Sequence, residues 1–116
     1  MTPQNAIWEW FKKVFPDEKY LSKEERTLRF LEESIELAQS LDLPKERAQA
    51  LLDWVYSRPK GDTGQEVGGV CLTLSVLCSS QNLDVNDLGN AELDRVSRPE
   101  IIQQIKSKQR GKIVGF

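Results

Sequence analysis

The run Arg29-Phe30-Leu31-Glu32-Glu33-Ser34-Ile35-Glu36-Leu37 holds the residues best placed to do chemistry. On a helix, Glu33 and Glu36 point the same way about one turn apart. Two carboxylates at that spacing can share a hard divalent cation such as Mg²⁺, which takes oxygen ligands and commonly keeps several of its waters. The same run also reads as a solvated helix face, with Arg29 pairing to Glu32 and Glu33 at i+3 and i+4. Spacing alone favours the solvated face.

Glu66 is placed differently. It stands at the entrance to the apolar run Val67 to Cys78, where an unpaired charge is costly, so something must pair it or keep it wet. Thr63-Gly64-Gln65-Glu66 fits a capping box, in which Glu66 reaches back to the backbone N–H of Thr63. Gly68 and Gly69 each cost a helix roughly 1 kcal/mol relative to alanine. They call for close helix packing or room for a ligand, and no GxxxxGK[ST] phosphate loop accompanies them. Arg58, Lys60 and Asp62 lie on a short loop able to close over a site, although loop charges are more often simply solvated. Trp8, Trp10, Trp54 and Tyr56 offer faces for a nucleobase, but aromatics at helical spacing are more often core.

Composition narrows the chemistry. The 116 residues include no histidine, which removes the usual zinc sites, Ser-His-Asp and Cys-His catalysis and imidazole proton transfer. Lys and Arg number 16 against 18 Asp and Glu, a net charge of −2, so no basic surplus draws the chain to nucleic acid or acidic lipid. Only Lys106, Lys108, Arg110 and Lys112, in the tail, speak for DNA binding. Cys71 and Cys78 lie seven residues apart in an apolar run; on a helix that is roughly 10 Å, too far to pair. With no signal-peptide pattern and no apolar stretch of about 18 residues, a cytoplasmic location is expected.

The elements that must carry these residues read as helices throughout. Prolines and glycines cut the chain into helix-length segments, without period-2 alternation or hairpin turns. An all-α fold is expected. A first helix starts at Thr2-Pro3 and runs to about Phe15, before Pro16. A second opens on the capping pattern Ser22-Lys23-Glu24-Glu25 and reaches about Asp42, with Leu28, Leu31, Ile35 and Ala38 in one stripe. A third follows Pro44 and ends before Ser57. A fourth starts near Asp62 or Thr63, and its apolar residues lie on nearly every side, so it should be buried all round. One small layer of helices rarely encloses a member completely, so a neighbouring subunit is expected over it. A fifth runs from about Asp84 to Val96. After Pro99, Ile101, Ile102 and Ile105 mark a final turn or two, and a basic, mobile tail is expected from Lys106.

With both elements in view, the chain resembles the MazG-like all-α nucleoside triphosphate pyrophosphohydrolases. That family carries an ExxE on one helix and an ExxD opening another. Glu33 and Glu36 take the ExxE positions, and Gln65-Glu66-Val67-Gly68-Gly69-Val70 places Glu66 at the second glutamate and Gly69 at the aspartate. The resemblance spans roughly residues 5 to 108 and is nearest to a subgroup of phage and bacterial members in which the Gly-Gly form also occurs, the phage MazZ type among them.

The resemblance implies a MazG-like bundle of four to five helices over residues 1–98, with a short helix and basic tail at 99–116, assembled as a homo-oligomer, a dimer or a dimer of dimers. It implies cleavage of a (deoxy)nucleoside triphosphate, dGTP first and GTP or dATP next, to the monophosphate and pyrophosphate, with a role in 2-aminoadenine nucleotide supply. Glu33, Glu36 and Glu66 would bind Mg²⁺, or Mn²⁺ in its place, with Glu33 or Glu36 also serving as the catalytic carboxylate. Arg29, Arg58, Lys60 and Asp62 would contact substrate, and Glu32, Asp62 or Glu92 would substitute for the missing aspartate. The competing reading is a noncatalytic helical oligomerisation module.

Overall fold

The computed structural model of the protein describes the backbone of residues 3–114 and the side chains of residues 3–109. The expected start at Thr2 and the side chains of Arg110 and Lys112 lie outside the described residues. Among the described residues the fold is all-α: α1 (Pro3–Val14), a 3₁₀ turn (Glu18–Leu21), α2 (Lys23–Ser40), α3 (Lys45–Tyr56), α4 (Thr63–Ser80), α5 (Val85–Val96) and α6 (Pro99–Val114). Six helices replace the four to five expected.

Local chemistry sets the boundaries. Ser22 caps α2, its hydroxyl accepting from the Glu25 N–H at 3.1 Å, and Asp84 caps α5 by accepting from the Asp87 N–H at 2.9 Å. α2 and α4 end alike. Asp42 and Asn82 adopt φ of 65° and 57°, and the N–H groups of Leu43 and Leu83 return to the carbonyls of Ala38 and Cys78. Both residue types tolerate that left-handed position, which closes the last orphan carbonyls of each helix.

These ends expose a regularity of forty positions. Adding forty to the bounds of α2 and α3 gives the bounds of α4 and α5, and carries Ser57-Arg58-Pro59 onto Ser97-Arg98-Pro99. The chain is two long-helix, short-helix units laid on one template, flanked by α1 and α6.

The core is small. Phe11, Val14, Phe15 and Tyr20 are buried together, with Trp10, Ile102 and Ile105 packed against them. Phe15 rests on Phe11 and Tyr20 at ring separations of 5.3 and 4.9 Å, within the range where tilted aromatic pairs attract. The Trp10 indole N–H donates to the Val96 carbonyl at 3.0 Å, tying α1 to the end of α5. α6 therefore belongs to the core and runs well past the turn or two expected, continuing as helix through the segment read as a tail.

Around that core the helices stand open. α3 has no buried residue and α4 only Cys78, while Val67, Leu72 and Val76 of α4 are largely exposed. Within one chain α4 is covered on the side bearing Leu74, Leu77 and Cys78, and its opposite side is bare.

Candidate functional site

α2 carries two polar systems, one buried and one open. In the buried system Glu25 lies beneath α6, accepting from the Gln109 side-chain amide, with Arg29 Nε 3.2 Å from the same carboxylate oxygen. Arg29 also donates from a terminal guanidinium nitrogen to Glu32 at 3.2 Å. Arg26 lies over the Phe11 ring at 4.6 Å, and burial lowers its pKa, partly countered by Glu25. Arg29 is thereby held between two carboxylates. Glu25, Arg26 and Gln109 were not singled out from the sequence; Glu25 fitted a capping box, and nothing in the sequence links it to a residue 84 positions away.

The open system is the expected carboxylate pair. Glu36 lines a groove of about 360 Å³ along α2 with Leu28, Arg29, Leu31, Glu32 and Ile35. Every wall of that groove comes from α2 itself. Glu33 and Glu36 are exposed, and Glu36 has no hydrogen bond or ion pair among the described residues. Glu33 is near enough to α5 to act on Arg95, whose pKa is raised first by its hydrogen bond to Glu92 at 2.5 Å and by that carboxylate's charge, and to a lesser degree by Glu33. Glu92, a candidate for the missing ligand, is thus on the side of the fold that Glu33 addresses, and is paired with Arg95.

At the start of α4 Asp62 and Glu66 are placed differently. Asp62 is the cap, its carboxylate accepting from the Gln65 N–H at 2.9 Å. The capping box expected of Thr63 and Glu66 does not form, because the helix starts one residue earlier than that box requires. Glu66 is released from backbone duty and its carboxylate lies over Gly61: a Cβ there would stand 2.9 Å from Glu66 Oε1. Gly68 and Gly69 face open space, with nothing within 4 Å of a Cβ at either. Arg58 stacks on Trp54 at 3.8 Å, so that ring's outer face is already occupied by a cation. Lys60 is exposed on the same loop. Trp8 stacks on Phe11, and Tyr56 stands in solvent.

Among the described residues no three of His, Cys, Asp and Glu gather closely enough to hold a metal ion. Glu33, Glu36 and Glu66 are therefore not a closed three-carboxylate cage within one chain. The donor chemistry of the Glu33–Glu36 pair nonetheless fits Mg²⁺, which is usually bound by one or two carboxylates together with substrate phosphates. No helix among the described residues is long and apolar enough to cross a membrane. Comparison with protein-family models, curated proteins and solved structures returns no match to this chain.

Proposed function

We propose that this chain is a Mg²⁺-dependent nucleoside triphosphate diphosphohydrolase, cleaving a purine deoxynucleoside triphosphate, dGTP first, to the monophosphate and pyrophosphate in the cytoplasm of a bacterial or phage-infected cell. The observation that carries this reading is the Glu33–Glu36 pair: carboxylates one turn apart, exposed, with Glu36 unpartnered on an open groove. The two-element pattern with Glu66, and the release of Glu66 from capping, support it.

Glu33 and Glu36 would hold the cation, and Glu66, which does not gather with them in the single chain, would have to be brought to it when metal and substrate bind. When bound, Mg²⁺ neutralises phosphate charge and polarises the scissile anhydride, and Mn²⁺ shares its oxygen preference. The chain's own part is positioning and electrostatics. Whichever of Glu33 and Glu36 has a free oxygen orients a water and takes its proton. Lys60 and Arg58, on the loop before α4, offset the charge of departing pyrophosphate. Arg29 is already paired at both ends and serves better to orient Glu32 than to bind phosphate.

A noncatalytic oligomerisation module is the second reading, favoured by Gly69 at the position of the family's aspartate and by the open apolar face of α4. A panel of ribo- and deoxynucleoside triphosphates with Mg²⁺ or Mn²⁺ decides between them. Monophosphate and pyrophosphate from the wild type, abolished in Glu36→Gln and Glu33→Gln with stability unchanged within about 0.5 kcal/mol, support the hydrolase. No turnover of any nucleotide with either metal leaves the module.

A further inference from the structure

We infer that Glu25 and Gln109 form a clamp that holds Arg29 away from Glu33 and so keeps that carboxylate open to a cation; the cation's part in this rests on the hydrolase reading. Arg29 has two carboxylates within reach along α2, Glu32 at i+3 and Glu33 at i+4. It takes Glu32, donating at 3.2 Å, and Glu33 has no hydrogen bond or ion pair among the described residues. Helical geometry shows what decides between them. At about 100° per residue, Glu25 and Glu32 fall within about 20° of each other on the circumference of α2, both to one side of Arg29, whereas Glu33 lies about 40° to the other side. A charge at Glu25 therefore turns the guanidinium toward Glu32.

The contacts fit that role. Arg29 Nε is buried 3.2 Å from Glu25 Oε1 without an aligned hydrogen bond, so the charge of Glu25 is what holds that end. Only 13% of the Arg29 side chain is exposed, and an attraction so sheltered from water is little screened. Gln109, from α6, donates to the same Glu25 oxygen and fixes the direction of the carboxylate. Glu33 has a second arginine near it, Arg95 of α5, and that one is taken too, by Glu92 at 2.5 Å. Both cations able to cover Glu33 are thus engaged by other carboxylates. Glu25 and Gln109 are positioning residues: they act through Arg29 on a carboxylate that neither touches. Without the clamp Arg29 is free to pair with Glu33, where its charge competes with a divalent cation. Groups that act on a metal's ligands from behind typically account for about 10–100-fold in affinity.

Titration of the full chain with Mn²⁺, followed by the electron paramagnetic resonance of the free ion, tests the clamp. The wild type is expected to bind, and Glu25→Gln, which keeps the shape and removes the charge, to bind about tenfold or more weakly. Adding Arg29→Met to Glu25→Gln should restore affinity to within about twofold of the wild type or above it, a coupling that a merely structural role for Glu25 does not produce. No loss in Glu25→Gln, or a loss that persists in the double variant, overturns the inference. Gln109→Leu should weaken Mn²⁺ binding in the same direction and takes the place of Glu25→Gln if that chain does not fold. Trp10→Phe, which gives up its bond to Val96 elsewhere in the core, should lower the unfolding midpoint and leave Mn²⁺ affinity unchanged; an equal loss there makes the effect a general loosening and overturns the clamp. A wild type that binds no Mn²⁺ removes the hydrolase reading, and the clamp is then decided by a crystal structure of Glu25→Gln. Arg29 against Glu33 upholds it, and Arg29 still on Glu32 overturns it.

Discussion

Gln109 in α6 donates its side-chain amide to the carboxylate of Glu25 in α2, joining residues 84 positions apart across a buried contact. Glu25 also faces Arg29 at 3.2 Å and Arg26 at 3.7 Å, so the amide completes the surroundings of a desolvated charge. Without it the carboxylate stays buried one donor short.

Gln109→Leu keeps the volume and removes the donor. It should destabilise the fold by about 1–3 kcal/mol, the cost of leaving a buried polar partner unsatisfied. Urea unfolding at fixed protein concentration measures this. A change within about 0.5 kcal/mol, as at an ordinary surface position, would show that the contact contributes nothing.

Asp62 is where helix capping and a proposed ligand role can be separated. Asp62→Ala removes the bond to the Gln65 N–H and should cost about 1 kcal/mol, whereas Asp62→Ser keeps a capping oxygen and most of that stability. Hydrolysis surviving in Asp62→Ser confines the residue to its cap. Hydrolysis lost there, with stability retained, makes Asp62 the carboxylate that stands in for Gly69.

The capping boundaries show what could be read from sequence. Ser22, Pro44, Asp62 and Asp84 announce their helices through local chemistry, and the Glu33–Glu36 pair is legible because helical periodicity fixes it within one turn. The extent of α6 was not legible. Past Ile105 its residues are mostly polar, yet Ile102, Ile105 and Gln109 lie at i, i+3 and i+7 and face the core and Glu25. A periodicity count gives a buried glutamine no weight. The 3₁₀ turn Glu18–Leu21 was missed because four residues carry no period, although it brings Tyr20 into the core. For α4 the apolar pattern predicts burial on every side, and the pattern alone does not say which side the chain itself covers.

Gly61 tests the position of Glu66. A methyl group there meets Glu66 Oε1 at 2.9 Å, so Gly61→Ala must swing that carboxylate aside while leaving the backbone in place. Under the hydrolase reading turnover should fall about tenfold or more, as misplacement of a site group by about 1 Å does. The unfolding midpoint should barely move. Unchanged kinetics with each metal would mean that Glu66 acts from another orientation or not at all.

The forty-position regularity has a consequence for how labour is divided within the chain. Glu33 and Glu36 on α2 correspond to Thr73 and Val76 on α4, so one helical template is written once in carboxylates and once in hydroxyl and hydrocarbon. The first copy of the template leaves its carboxylates in solvent, and the second presents an exposed face without charge. The helix ends they share at Asp42 and Asn82 are the common grammar of two sentences whose words differ in charge.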